Sequence, residues 1–258
     1  MNFHNNAIKI KWFNFVFENF IDFLVCKLSS SFVTVSNNCL ETLDRRYFTK
    51  LNTNKIFIYN GIDDPLININ KNFNIHNGVE YCLMLATFEK RKGHHYLIKS
   101  FIEVLKKHNN YKLFIYGFGS SEEINFVQDF INKLNLMDNI KLFNFSDDKY
   151  NLIYHSKLLL VPSQANESFG LTIIEAMALC KPVVITNVGG MPEILHNSQA
   201  GFLSNKNNTQ EFAEKINLLL SDNKLYNTMS SNARIHYENN FTANKMTKKY
   251  YELLNIEQ

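Results

Sequence analysis

Residues 157–180 read KLLLVPSQANESFGLTIIEAMALC, and the order of residue types in this stretch decides the fold. Leu158, Leu159, Leu160 and Val161 form an unbroken apolar run closed by Pro162, as expected of a short strand buried on both faces. A polar loop leads through Gly170 into a segment whose apolar residues, among them Ile173, Ile174, Ala176, Met177 and Ala178, suit a helix.

The same alternation extends in both directions. Upstream, YCLMLAT (81–87), YKLFIYGFG (111–119) and IKLFNF (140–145) read as strands. Between them GHHYLIKSFIEVLKKH (93–108), EEINFVQDFINKLNL (122–136) and DDKYNLIYHS (147–156) read as helices. Downstream, PVVITNVGG (182–190) is a strand ending in a glycine turn, and three helical segments follow, at 208–222, 223–240 and 242–255. Nearer the N-terminus, SFVTVS (31–36) and KIFIYN (55–60) are short strands flanking a polar helix. Strands alternating with helices imply an α/β doubly wound parallel sheet of the Rossmann-like kind, covered on both faces. Residues 60–78, NGIDDPLININKNFNIHNG, carry Gly, Pro, Asp and Asn without periodicity and read as a linker. The expected organisation is therefore a short N-terminal piece (1–59), a linker (60–78) and one complete nucleotide-binding domain (79–258).

In such a sheet, ligands bind in loops at the carboxyl ends of the strands, and four of these loops carry unusual residues. ATFEKRKGHHYL gathers Lys90, Arg91 and Lys92 beside Gly93 at a helix start, where cations and free amides suit a diphosphate. YGFGSSEE offers Gly117 and Gly119, which permit positive φ and close ligand approach. In the loop of the opening stretch, Ser168, Phe169 and Gly170 turn into the helix. The amides near Gly170, Leu171 and Thr172 point out of its start. Glu167 precedes this turn, and Glu175 lies about one helical turn inside an otherwise apolar helix. A buried carboxylate there is costly unless hydrogen-bonded, and ribose hydroxyls would supply the partners. NVGGMPEIL has Gly189 and Gly190 in a turn and Glu193 opening the next helix, where the dipole favours a carboxylate in any case.

Bulk composition narrows the function classes. At 45% hydrophobic and 20% charged, the 258 residues can bury a core, which excludes general disorder. A net charge of +3 gives no basis for nucleic-acid binding. Cys26, Cys39, Cys82 and Cys180 are spaced for neither a zinc site nor a disulfide scaffold and read as buried thiols of a reducing cytosol. Lys9, Lys11, Glu18 and Asp22 interrupt the N-terminal apolar residues, so neither a signal peptide nor a membrane span is expected. Trp12, Val16, Phe17, Phe20, Phe23, Leu24 and Leu28 instead recur at helical spacing, as for a helix packed on a sheet.

These residues together resemble retaining family 4 of the glycosyltransferases, whose members have the two-Rossmann GT-B fold. The family's strand ending in Pro-Ser, its Glu-x-Phe-Gly and its second helical Glu match Pro162, Ser163, Glu167, Phe169, Gly170 and Glu175. Its Lys-Gly phosphate loop matches Lys92 and Gly93, and its GGxPE turn matches Gly189, Gly190, Pro192 and Glu193. The Asn-Gly-Ile/Val-Asp opening its interdomain linker matches Asn60, Gly61, Ile62 and Asp63. The resemblance runs from about Ser30 to the C-terminus and implies the donor-binding half of a GT-B enzyme with a remnant of the acceptor-side domain. It implies that Glu175 holds the donor ribose and that Glu167 contacts hydroxyls of the transferred sugar. Lys92 would neutralise the departing diphosphate, aided by amides near Ser168, Phe169, Gly170 and Leu171. A nucleotide sugar is then the co-substrate and no metal or other cofactor is needed, which leaves Asp147 and Asp148 to cap the following helix.

The sequence departs from the family in two places. Ala86–Thr87 stands where many members carry an arginine, so Thr87 reads as a subfamily feature with Arg91 or Lys92 supplying the charge. The family's glycine-rich N-terminal loop and active-site histidine have no counterpart, and neither His94 nor His95, on the donor side, takes that role. The implied acceptor is a polysaccharide or lipid-linked glycan of lipopolysaccharide or capsule biosynthesis, modified at the cytoplasmic face of the membrane. A separate N-terminal half or an oligomer would complete the enzyme; the alternative is a non-catalytic nucleotide-sugar-binding module. Either way, the uncovered cleft wall predicts association or poor solubility of the isolated chain.

Overall fold

The computed structural model describes residues 20, 21, 24, 25, 28, 29, 31–45, 54–70 and 76–254. Of the helix expected between Trp12 and Leu28, the described positions Phe20, Ile21, Leu24, Val25 and Leu28 are helical; Trp12, Val16, Phe17 and Phe23 lie outside the described residues. Two compact units are present, one ending at Ile58 and one opening at Tyr59.

In the first unit, β1 (Ser31–Thr34) and β2 (Asn54–Phe57) pair in parallel, with Ser31 opposite Asn54 and Thr34 opposite Phe57. Helix α1 (Asn37–Arg45) lies between them in the chain. Ser36 Oγ accepts from the Cys39 amide at 3.1 Å, so a serine fixes the helix start by taking up an otherwise orphaned donor.

The second unit carries six parallel strands: β3 (Tyr81–Leu85), β4 (Lys112–Gly117), β5 (Ile140–Asn144), β6 (Leu158–Val161), β7 (Val183–Thr186) and β8 (Gly201–Ser204). Their order across the sheet is β5-β4-β3-β6-β7-β8. The chain thus winds outward from β3 in one direction and then, from β6, in the other. Leu113, Ile115, Leu158, Leu160, Val183, Val184 and Ile185 are fully buried, as the unbroken apolar runs require.

Helices α2 (His94–Leu105), α3 (Ser121–Lys133) and α7 (Thr209–Ser221) share one core with Cys82, Met84, Leu113, Ile115 and Leu160. Helices α4 (Lys149–His155), α5 (Leu171–Ala178), α6 (Met191–Leu195), α8 (Asn223–Asn240) and α9 (Ala243–Leu254) complete the unit. Ser120 and Glu123 form a reciprocal capping box at α3, while Asn208 and Asp222 side chains accept from the first-turn amides of α7 and α8.

The structure adds to or corrects the sequence reading at four points. Residues 60–68, read as linker, dock onto the C-terminal helices. Ile62 exchanges backbone hydrogen bonds with Phe241 and Ala243 at 3.0 and 2.8 Å, and Asp64 pairs with Arg234 of α8. Strand β8 has little sequence signal, because GFLS at a sheet edge has only two large apolar residues. Asp148 does occupy the position before α4, yet its carboxylate accepts from the Asn151 side chain at 2.7 Å rather than from a backbone amide. Of the free thiols Cys39, Cys82 and Cys180, only Cys82 is fully buried; Cys26 lies outside the described residues.

Candidate active site

The sheet changes winding direction between β3 and β6, and the loops leaving these two strands diverge there, the position at which open α/β sheets bind ligands. A cleft of about 260 Å³ opens at this point. Leu85 and Ala86 come from the end of β3, Val161 to Ser163 from the end of β6, and Glu167 to Thr172 from the loop and first turn of α5. Lys92 and Asn60 close it.

Two glycines set the positions of its walls. Gly93, with φ +82°, ends the short 3-10 turn Lys90–Lys92 and begins α2; a Cβ there would fall 2.0 Å from the Pro162 carbonyl oxygen. The β3 loop therefore lies directly against the β6 loop. Gly189, at φ +58°, is equally constrained, since its Cβ would fall 1.8 Å from the Glu167 carbonyl oxygen. That carbonyl also accepts from the Gly190 amide at 2.9 Å. The double-glycine turn is thus a backstop that holds the Glu167 segment from behind.

On this frame, charge converges on one carboxylate oxygen. Glu167 Oε1 accepts from Lys92 Nζ in a short ion pair and from Ser163 Oγ at 2.9 Å, and Arg91 Nη1 stands 3.8 Å away. Arg91 is itself held by Glu89, at 2.6 Å from Nε, and by the Asn166 carbonyl at 2.9 Å. Hydrogen bonds from Arg91 and then Thr87 hold the Glu89 carboxyl below its usual range. Thr87 thereby anchors the loop through Glu89.

Helix α5 starts at Gly170, φ +122°, and among the described residues no side chain caps it, which leaves its first amides for an anion. Phe169 is buried against Tyr59 and Phe241, with ring centroids 5.8 and 6.1 Å apart, and anchors the loop by its side chain; Leu171 is half exposed. Tyr59 in turn donates to Glu193 of α6 at 3.1 Å, and burial with that neighbouring charge pushes its pKa up to about 12.

Glu175 is 4% exposed and receives Lys149 Nζ from α4 on Oε1 at 2.6 Å. Among the described residues its Oε2 accepts no hydrogen bond. Burial opposes the Lys149 charge, and Glu175 outweighs that opposition, so the Lys149 pKa is raised. Lys149 went unread because a lysine at a helix start looks solvated and its partner is 26 residues away.

The structure therefore brings Lys92, Glu167, Ser168, Phe169, Gly170 and Leu171 together around one cleft. Thr87 and Arg91 stand behind it, and Glu175 sits one turn further along α5. Gly117 and Gly119 belong to another arrangement. Neither has positive φ, contrary to expectation. Gly117 is required because a Cβ would meet the Ala86 carbonyl oxygen at 1.8 Å, and Gly119 because one would meet Phe88 Cβ at 2.9 Å. They pack the β4 loop against the β3 loop. His94 is buried and stacked on Phe88, with ring centroids 5.0 Å apart, and burial with the positive charges of His95 and Lys92 lowers its pKa to about 4. His95 stacks between Phe126 and Phe130.

Known proteins share this fold. The chain is 26% identical over 199 residues to N-acetyl-alpha-D-glucosaminyl L-malate synthase of Bacillus anthracis, covering 75% of this chain and 51% of that protein. It is 33% identical over 154 residues to the capsular polysaccharide biosynthesis glycosyltransferase CapM of Staphylococcus aureus, covering 60% and 40%. It thus spans about half the length of these curated relatives. Among solved structures, Anabaena Alr3699/HepE in complex with UDP-glucose superposes with a TM-score of 0.81 at 25% identity, over 90% of this chain and 65% of that one. A glycosyltransferase from Rickettsia africae gives 0.75 at 28% identity, over 86% and 62%. The profile of the family described as Glycosyl transferases group 1 matches residues 67–236, and the chain belongs to that family.

Proposed function

We propose that this chain carries the donor site of a retaining glycosyltransferase that moves a sugar from a nucleoside diphosphate sugar to a polysaccharide or lipid-linked glycan. The observation that carries the reading is the cleft at the β3/β6 switch point, where Lys92 and the uncapped start of α5 face the same space. Bond cleavage leaves a nucleoside diphosphate, and the new negative charge is met by the Lys92 ammonium and the amides of Gly170 to Thr172. These groups are positioned before the reaction, so their stabilisation needs little reorganisation. Lys92 pairs with Glu167; on donor binding its charge passes to the diphosphate, and Glu167 is released toward the sugar hydroxyls. Glu175, with one free oxygen, receives the ribose hydroxyls.

The charge at the leaving group is supplied by Lys92 with Arg91 behind it, so a divalent metal is not required. The acceptor chemistry follows the capsule relative CapM, and the proposed location is the cytoplasmic face of the membrane. Among the described residues no helix is long and apolar enough to cross a membrane.

The test is incubation with α-configured UDP-, GDP- and ADP-hexoses, with and without EDTA, following nucleotide release and the anomeric proton of the first product by NMR. An α product, EDTA-insensitive release and a loss of about 100–1,000-fold in Lys92→Ala are expected. A β first product overturns retention, and release that requires metal overturns the lysine mechanism. Release indifferent to Lys92→Ala removes the assigned site.

A further inference from the structure

We propose that Lys149 is a positioning residue of the donor site, fixing the Glu175 carboxylate so that its second oxygen is presented to the ribose hydroxyls; this rests on the donor-site reading above. A carboxylate 4% exposed in an apolar helix needs partners for both oxygens. The fold supplies one of them. Lys149 stands in the first turn of α4, and its ammonium reaches Glu175 Oε1 at 2.6 Å across the helix pair. The other oxygen, Oε2, is buried and accepts nothing among the described residues.

Such a division is poor design for stability alone. A second donor from the protein would satisfy Glu175 fully, and a methionine in its place would remove the problem at similar volume. It is good design for recognition, because the residue is held by one oxygen and can bind a hydroxyl with the other. Freed of Lys149, the buried carboxylate would turn toward another donor. That change removes a charged acceptor of fixed direction, and hydrogen bonds to charged groups are the stronger kind. Lys149 thus acts through Glu175 and not by touching the ligand.

A double-mutant cycle read by calorimetry tests this. The probes are UDP, GDP and ADP, then the 2′,3′-dideoxy form of whichever binds most tightly. In the wild-type chain, losing the ribose hydroxyls is expected to weaken binding by about 10-fold or more. In Lys149→Met the ribo probe weakens by a similar factor while the dideoxy probe hardly changes, so the hydroxyl preference falls below about 3-fold. Where Lys149→Met does not fold, Lys149→Met/Glu175→Gln against Glu175→Gln gives the same information, since neither leaves a buried carboxylate unpaired. Equal affinities of these two variants support action through Glu175. A further loss in the double variant means that Lys149 contacts the ligand directly, and it overturns the proposal, as does a folded Lys149→Met that keeps the wild-type hydroxyl preference. A folded wild-type chain that binds none of the three nucleotides overturns the donor-site reading itself.

Discussion

Two lysine–glutamate pairs flank the start of α5, and they differ in what surrounds the carboxylate. Lys92 and Glu167 join two loops, and Glu167 Oε1 is shared with Ser163 and lies near Arg91. The pair is over-supplied with donors, so Lys92 can leave without stranding a charge. Lys149 and Glu175 join two helices, and there, among the described residues, the carboxylate depends on a single cation. The same two residue types thus make an exchangeable contact on the cleft and a fixed one behind it. Redundancy, rather than distance or charge, separates the contact proposed to open on the donor from the one proposed to hold Glu175 in place.

This contrast can be broken most readily by stability. Lys149→Met is expected to cost about 3 kcal/mol, at the low end for a severed buried pair because a third of Lys149 remains in water. Lys92→Ala is expected to cost less, because Ser163 and Arg91 still serve the Glu167 carboxylate. Urea unfolding of both variants checks the pair, and equal losses would erase the distinction.

The lysine loop also carries a pH signature through His94, the residue after Gly93. Its pKa is about 4 in the folded chain against an ordinary 6.5. The unfolded chain therefore binds the extra proton first. The contribution is fully present above pH 6.5, declines as pH falls and is gone by about pH 4, a loss of about 3 kcal/mol. His94→Phe, which keeps the stack on Phe88, is expected to flatten the fall in urea midpoint over that range; parallel curves for variant and wild type would contradict it.

A further effect is expected at the backstop. Gly189→Ala costs about 1–3 kcal/mol for the positive φ alone, and the clash of its methyl with the Glu167 carbonyl adds to that. Because the strain falls on the Glu167 segment, nucleotide-sugar binding should weaken in step with the melting temperature. A lower melting temperature with unchanged affinity would separate the turn from the site.

Much of this was legible in the sequence, for identifiable reasons. Apolar runs such as LLLV and VVIT announce strands buried on both faces, and Gly170 and Gly189 mark backbone that only glycine tolerates comfortably. Glu167 and Lys92 were named from the pattern around them. Their meeting was not readable, since 75 residues separate them and the contact depends on Gly93 bringing the two loops together. The GFG turn carries a related ambiguity: in sequence a glycine needed for loop packing looks the same as one needed for a ligand, and at Gly117 and Gly119 the packing need is on view. Strand β8 was hidden by its shortness, and the docking of residues 60–68 by a composition that reads as loop whether or not the backbone finds partners.

Lys92, at the junction of β3 and β6, is proposed as the cation of a nucleotide-sugar site. The decisive measurement is calorimetric titration of the wild-type chain and Lys92→Ala with UDP-, GDP- and ADP-sugars. Saturable binding of one nucleotide class by the wild-type chain, weakened at least about 10-fold in a folded Lys92→Ala variant, is the predicted result. Equal affinity in the two proteins, or no binding by a folded wild-type chain, would contradict it.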